Sequence, residues 1–187
     1  MMAVYIALLR GINVGGKNKV KMADLKAALE QEGFHHVQTY IQSGNIVFES
    51  ADGEEAVQTR IEQIMEAEFG IASKVMVRTA GELTDLAAKL PFTADEIAAA
   101  EASCEGECLY AAFLREPLPP AVIGKLDGGD YGDDQYRTDG RHIYLLYGRS
   151  VRNSKLSAKL ERLGVPITVR NWNTVGKLIG LAVQKGN

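Results

Sequence analysis

Residues 37–50, VQTYIQSGNIVFES, contain the pattern that decides the fold. Two segments rich in β-branched and aromatic residues, VQTYIQ and IVFES, flank the triplet Ser43-Gly44-Asn45. Glycine readily adopts the positive φ that a tight turn between two strands requires. The sequence therefore predicts a β-hairpin with its turn at this triplet.

The segments around this hairpin complete the order β-α-β-β-α-β. An almost unbroken apolar run, VYIALLR at residues 4–10, is typical of a central strand, and SKVMVR at 73–78 is predicted to be the last strand. One helical segment separates the hairpin from each of these strands. The apolar residues of the two helices recur at helical spacing and stop at a glycine: Met22, Leu25 and Leu29 before Gly33, and Val57, Ile61, Ile64 and Met65 before Gly70.

The second half of the chain repeats this order. Strands are predicted at ECLYAAFL (107–114) and PITVR (166–170), and Asp139-Gly140 marks a hairpin between DQYRT and RHIYLLY. Helices are predicted for the segment beginning LPPAVIGKL, for the segment with Leu156, Leu160 and Leu163, and for a final segment with Val175, Leu178, Ile179 and Ala182.

Between the two halves, the sequence predicts a helical connector. Thr79–Glu82 and Thr93–Glu96 each have the spacing of a capping box, and Pro91 separates the two helices that they begin. We therefore expect an α+β fold, a tandem duplication of ferredoxin-like βαββαβ units with connecting helices and a C-terminal helix. The expected domains are a first unit at 1–78, a connector at 79–106, and a second unit with the C-terminal helix at 107–187.

The composition is that of an ordinary globular protein, with 46% hydrophobic and 24% charged residues. No run approaches the roughly 20 apolar residues that span a bilayer, and no basic segment precedes the first apolar run, so we expect a cytoplasmic protein that does not enter a membrane. Cys104 and Cys108 lack a second pair of ligands at zinc spacing, so no metal is predicted. No cofactor is predicted either, and the sequence does not fix the oligomeric state.

The net charge is only −3, but the charges are unevenly distributed along the chain. Residues 1–21 carry four cations and no acids, and residues 141–187 carry nine cations and one acid. Residues 22–140 carry eight cations and 23 acids. The basic ends favour an anionic partner if the fold gathers them on one surface. The alternative is an evenly solvated surface.

Polar loops are predicted to meet at two sheet edges. In a βαββαβ unit the first and second strands are parallel, so the loops that leave them lie at the same edge. In the second half, the loops that leave the third and fourth strands share an edge in the same way. The candidate ligand-binding residues of the first edge are Arg10, Asn13, Lys17, Asn18, Lys19, Gln42, Ser43 and Asn45. Those of the second edge are Arg149, Arg152, Ser154, Arg170, Asn171, Trp172, Asn173 and Lys177.

The last helix is predicted to begin at the second edge. Asn173 is the expected N-cap, which would direct free backbone N–H groups towards the edge beside Arg170. A helix N-terminus next to cations favours an anion. The alternative is that Asn171 and Asn173 bond only to the backbone and that Trp172 is a core residue.

Several familiar functional motifs are incomplete. Gly11-x4-Gly16-Lys17-Asn18 resembles a phosphate-binding loop, but Asn18 replaces the Mg²⁺-binding hydroxyl and the helical pattern begins only near Met22. The strand IVFES lacks the basic-glycine-aromatic pattern of an RNA-recognition sheet. No acid pair, Ser/His/Asp set or Cys/His dyad can be assigned by spacing, so no catalytic residue is predicted.

Three blocks of the sequence carry a family resemblance. LLRGINVGGKNKVKMADLKAAL, TYIQSGNIVF and TVRNWNTVGKL, in this order, resemble the signature blocks of the domain of unknown function 1697 family, which is uncharacterised and mainly bacterial. The resemblance covers nearly the whole chain. It implies a cytoplasmic α/β protein with a ferredoxin-like duplication, and it implies no activity, substrate or catalytic residue.

These observations lead to one main functional hypothesis and two alternatives. We expect a binding module whose partner is an anionic small molecule, such as a phosphorylated metabolite, or a nucleic-acid backbone. One alternative is a small-molecule enzyme that uses the same loops, with Lys19 or Tyr40 in proton transfer. The other is a protein–protein adaptor, which would expose an apolar patch.

Overall fold

The computed structural model of the chain describes residues 1–186, and in this range it contains seven helices and two four-stranded antiparallel sheets. The chain divides into two compact units. The first consists of Met1–Ala87 together with the C-terminal residues from Gly176, and the second is Ala88–Val175. Each unit contains one of the sheets.

The first unit has its strands in the order β2-β3-β1-β4, with every neighbouring pair antiparallel. Its core lies between one face of this sheet and the apolar faces of α1 and α2, and includes Leu9, Leu25, Phe48 and Ile61. The elements are β1 (Ala3–Leu9), α1 (Met22–Gln31), β2 (His35–Tyr40), β3 (Asn45–Ser50), α2 (Glu54–Phe69), β4 (Val75–Thr79) and α3 (Ala80–Ala88).

The predicted hairpin is present, but its first strand lies earlier than expected. The sequence predicted this strand at 37–42, whereas β2 spans His35–Tyr40. Two residues with positive φ explain the difference. His36 (φ 50°) lies where the β2–β3 register shifts, so the pairing begins two residues before the regular part of the strand, and it stops before Ile41 (φ 49°).

The second unit has the equivalent strand order, β6-β7-β5-β8, and every neighbouring pair is again antiparallel. Its core includes Leu114, Leu126, Leu145 and Leu160. The elements are α4 (Ala94–Ser103), β5 (Leu109–Leu114), α5 (Pro120–Asp127), β6 (Gln135–Asp139), β7 (His142–Leu146), α6 (Lys155–Glu161), β8 (Ile167–Asn171) and α7 (Trp172–Lys185), whose residues from Gly176 are grouped with the first unit.

The helix caps follow the sequence in one case and depart from it in another. Thr93 and Glu96 form the predicted capping box of α4. The prediction that Asn173 caps the last helix was wrong, because α7 begins at Trp172 and Asn171 Oδ1 accepts the bond from Thr174 N at 2.8 Å. Taken together, the elements confirm a mixed α+β fold with two four-stranded sheets.

Candidate functional site

The first predicted edge is held together by the side chain of Asn13. Its Nδ2 donates to the carbonyl oxygens of Val20, at 2.9 Å, and Gln42, at 2.7 Å, while its Oδ1 accepts from Val20 N at 2.8 Å. The loop after β1 and the β2–β3 turn are therefore in direct contact. Asn13 can hold these bonds because it adopts φ 53°, a left-handed conformation that asparagine tolerates better than most residues.

The predicted edge residue Asn18 also bonds within the loop. Its Nδ2 donates to Gly11 O at 2.9 Å, and its carbonyl accepts from Asn13 N at 3.0 Å. Between these two asparagines, Lys17 N donates a hydrogen bond to Val14 O at 2.9 Å, so residues 14–17 form a tight exposed turn. No helix follows Lys17 directly, since α1 begins at Met22. This geometry agrees with the interpretation that the segment is not a phosphate-binding loop of the nucleotide-hydrolase type.

The amides of the β2–β3 turn are likewise used inside the protein. Asn45 is fully buried, and its Nδ2 donates to Tyr40 O at 3.0 Å and to Ser43 Oγ at 2.7 Å. Gly44, which lies between them, has φ 82°. Asn13, Asn18, Ser43 and Asn45 thus position the loops, whereas the side chains of Arg10, Lys17, Lys19 and Gln42 belong to exposed residues.

An open groove lies against this edge. Its volume is about 650 Å³, and two of its lining residues, Lys19 and Lys21, carry positive charge. The backbone at Lys19 is held in place because both neighbouring residues, Asn18 and Val20, bond to Asn13. Lys21 is the N-cap residue of α1, and its side chain makes no capping hydrogen bond. The remaining lining residues are Asn13, Gly16, Val20, Asp24, Gln42 and Phe69.

The edge also contains residues that were not predicted from the sequence. Arg10 N donates to Lys74 O at 3.0 Å, and Ser73 Oγ donates to Arg10 O at 2.7 Å, so Lys74 lies beside Arg10. The strand directions could have revealed this, because β4 is antiparallel to β1 and must begin where β1 ends. The groove is also lined by three residues that were not predicted, Lys21, Asp24 and Phe69. Of these, only Lys21 could have been noticed in the sequence, through its positive charge.

At the second edge, acidic residues oppose the predicted cations and polar groups. Asp134 accepts from Gly148 N at 2.9 Å and from Ser154 Oγ at 2.6 Å, and Ser154 also caps α6. Arg149 Nε lies 3.6 Å from Asp133 Oδ2, with both side chains exposed. A groove of about 900 Å³ lies here, and its lining includes Glu105, Asp130, Asp133, Asp134, Arg149, Ser154 and Lys155. Four acidic residues line this groove against two cations, so its net charge is negative.

The predicted residues at the start of α7 are also engaged. Arg170 is 7% exposed, and its Nη1 donates to Thr168 Oγ1 at 2.7 Å and to Val169 O at 3.0 Å. Burial lowers the pKa of Arg170 to about 10. Asn173 Nδ2 donates to Glu107 Oε1 at 2.6 Å, which places a carboxylate close to the helix N-terminus.

The last three predicted residues of this edge differ in environment. Trp172 is half-buried, with its ring 6.3 Å from that of Tyr144. Arg152 and Lys177 are exposed, and Lys177 lies in the part of α7 that is grouped with the first unit. The structure therefore brings the predicted residues of the first edge together, and it gives most of those at the second edge partners within the protein.

Residues 1–186 offer neither a metal site nor a membrane-spanning helix. In that range, no group of three or more His, Cys, Asp or Glu side chains is placed to hold a metal ion. Burial raises the pKa of both Cys104 and Cys108, which disfavours the thiolate form that binds metals. No helix of the same range combines the length and the apolar character needed to cross a membrane.

The fold and the first edge define a mixed α+β protein with a basic groove beside one of its two antiparallel sheets. The family model described as "Protein of unknown function (DUF1697)" matches residues 2–144, and the chain belongs to this family. No curated protein sequence matches it. Among solved structures, it is similar to the conserved bacterial protein SP0830 from Streptococcus pneumoniae. The two are 27% identical with a TM-score of 0.75, and the match covers 97% of this chain and 99% of that one.

Proposed function

We propose that the protein binds an anionic ligand, a phosphorylated small molecule or a nucleic-acid backbone, in the groove at the first edge. The observation that carries this proposal is the pair Lys19 and Lys21, which line one groove at the start of α1. Two lysines beside a helix that begins without a side-chain cap offer both charge and backbone N–H groups to an anion.

The surroundings of the groove support the same ligand class. Arg10, Lys17 and Lys74 are exposed residues of the loops that meet at this edge, so five cations lie on neighbouring segments. Asp24 is the acidic residue that lines the groove. This excess of positive charge would raise the local concentration of anions and strengthen their binding at low salt.

We also infer that the chain arose as a tandem duplication of ferredoxin-like units, with the two units at 1–78 and 107–187 and a connector at 79–106. The last residue of the first strand supports this in each half. Leu9 N donates to Gly44 O at 2.9 Å, and Leu114 N donates to Arg141 O at 3.0 Å. The acceptors occupy equivalent places, each immediately before the return strand of its hairpin.

The final strands of the two halves give a second line of support. Both contain a Val-Arg pair in which Arg Nη1 donates to the preceding carbonyl, Arg78 to Val77 at 2.9 Å and Arg170 to Val169 at 3.0 Å. The residue after each arginine then accepts a bond from the backbone N–H three residues later, at the start of the next helix. Shared strand order alone would not require these matching side-chain contacts.

A charge-removal experiment tests the anion-binding proposal. The triple variant Arg10→Ala/Lys19→Ala/Lys21→Ala is compared with Lys26→Ala/Lys89→Ala/Lys125→Ala, which removes the same charge from exposed residues that do not line the groove. Binding of nucleoside phosphates, inorganic phosphate and a single-stranded oligonucleotide is measured by calorimetry as salt is increased.

The two variants should behave differently. The edge variant should bind at least about tenfold more weakly, and the slope of log K against log salt should become shallower by about 2, whereas the control should stay close to wild type. Equal losses in both variants would show that binding is non-specific. An absence of binding by the wild-type protein to every one of these anions at low salt would refute the proposal.

A further inference from the structure

We propose that the ligand of this groove is a mononucleotide, a phosphate ester that carries a flat heterocycle. This inference rests on the anion-binding function proposed above and adds the class of molecule. It is based on three lining residues that a simple phosphate would not use: Phe69, Asp24 and Gln42.

Phe69 provides an aromatic surface in the groove. The ring packs partly against the core of the first unit and also lines the groove. It is the last residue of α2, and the helix end is fixed by bonds from Gly70 N to Glu66 O, at 3.0 Å, and from Ile71 N to Met65 O, at 3.2 Å. The backbone that carries Phe69 is therefore held in place, and its aromatic ring offers a face on which a base can stack.

Asp24 restricts the kind of anion that fits. In the first turn of α1 its carboxylate also stabilises the helix dipole, which is a sufficient structural reason for an acid there. Because it faces the same groove as Lys19 and Lys21, however, it would repel a second phosphate placed beside it. A carboxylate instead accepts hydrogen bonds from ribose hydroxyls or from an exocyclic amine. One phosphate near the lysines and a hydrogen-bond donor near Asp24 satisfy both charges.

The size of the groove agrees with this assignment. A volume of about 650 Å³ lies within the range of roughly 300–1,000 Å³ that is usual for small-molecule sites. Inorganic phosphate would leave most of it empty. The side chain of Gln42, an exposed residue of the β2–β3 turn, offers both a donor and an acceptor for the edge of a base.

The test compares ligands that share the phosphate but differ in the base. Affinities of AMP, GMP, ribose 5-phosphate, adenosine and a short oligonucleotide are measured by calorimetry for the wild-type protein. The same set is measured for Phe69→Leu, for Phe69→Tyr as a control that keeps the ring, and for Lys19→Ala/Lys21→Ala. Circular dichroism and thermal unfolding confirm that each variant is folded.

A mononucleotide site predicts a specific pattern of affinities. AMP or GMP should bind about tenfold more tightly than ribose 5-phosphate, and Phe69→Leu should abolish this difference while leaving ribose 5-phosphate unchanged. Phe69→Tyr should retain it, and the lysine variant should weaken both ligands. The oligonucleotide should bind no more tightly than the mononucleotides.

Two outcomes separate this inference from the proposal on which it rests. Equal affinities for AMP, GMP and ribose 5-phosphate, with no effect of Phe69→Leu but a loss in Lys19→Ala/Lys21→Ala, would overturn the mononucleotide assignment and leave anion binding intact. Much tighter binding of the oligonucleotide than of the mononucleotides would also overturn the mononucleotide assignment and leave anion binding intact. If no anion binds the wild-type protein, both proposals fail together.

Discussion

Replacing Asn13 with alanine should destabilise the first unit and loosen the groove at the same time. The substitution removes all three hydrogen bonds that the side chain makes with Val20 and Gln42. Each such bond contributes about 0.5–1.5 kcal/mol net, and the partial exposure of Asn13 places the sum in the lower half of the resulting range. Alanine at φ 53° adds about 1 kcal/mol of backbone strain. We therefore expect a loss of about 2–4 kcal/mol.

Urea unfolding followed by far-UV circular dichroism measures this loss. At a slope of about 2 kcal/mol per molar urea, the midpoint of Asn13→Ala should fall by about 1–2 M. Asn13→Gly is the matched control, because glycine accepts the left-handed backbone but makes no side-chain bonds. It should recover about 1 kcal/mol of the loss, and both variants should bind anions more weakly than wild type.

The size of the loss shows how much the hydrogen bonds of Asn13 contribute to stability. A midpoint for Asn13→Ala that gives a loss below about 0.5 kcal/mol would refute the prediction, since that is the expected effect of an ordinary surface substitution. An unchanged affinity for anions in a clearly destabilised Asn13→Ala would show that the loop geometry does not matter for the site.

Two further predictions concern the turn glycine and the tyrosines. In Gly44→Ala, at φ 82°, the new Cβ would lie 2.9 Å from Leu9 Cβ, so we expect urea unfolding to show a stability loss of about 3 kcal/mol. The control Gly15→Ala, where nothing lies within 4 Å of the new Cβ, should lose only about 1 kcal/mol. Similar losses in the two variants would contradict this prediction. Six of the seven tyrosines have pKa values that are raised mainly by burial, that of Tyr144 to about 12. Because these tyrosines lose their protons first in the unfolded state, the stability of the folded protein should fall as the pH rises above 10.0. Arg115 and Arg170, whose pKa values burial lowers, oppose this trend. Absorbance at 295 nm should show tyrosine ionisation together with unfolding; ionisation at ordinary pH values in a protein that stays folded would contradict the prediction.

The order of the elements could be predicted from sequence because periodicity and glycine placement act locally. The apolar spacing gave the helices, and glycines such as Gly33 and Gly70 do end or follow them in the left-handed conformation. The contact between the loop after β1 and the β2–β3 turn followed from strand direction alone. The positive φ of Ile41 could not be predicted, because a β-branched residue rarely adopts that conformation.

The roles of single polar side chains were harder to predict than their positions. Asn13 and Asn18 were expected to contact a ligand, but their amides bond to the backbone of their own loop. An asparagine in a glycine-rich loop can contact a ligand or bond to the backbone of its own loop. Which of these it does depends on a φ value that the sequence does not fix. Asp134 shows the same limit at the second edge. Its bond to Ser154 joins residues 20 positions apart, which only the folded chain brings together.

The two predicted edges lie at non-equivalent ends of two sheets that have the same strand order, and this favours a single ligand site per chain. The first lies where β1 and β2 end, whereas the second lies where β7 and β8 end, which is the opposite edge of its sheet. The true counterpart of the first edge follows β5. There the connection to α5 is only residues 115–119 and contains two prolines, against the long basic loop at 10–21. The glycines and lysines that shape the groove thus belong to one unit alone, so we expect each chain to bind one molecule of the proposed ligand.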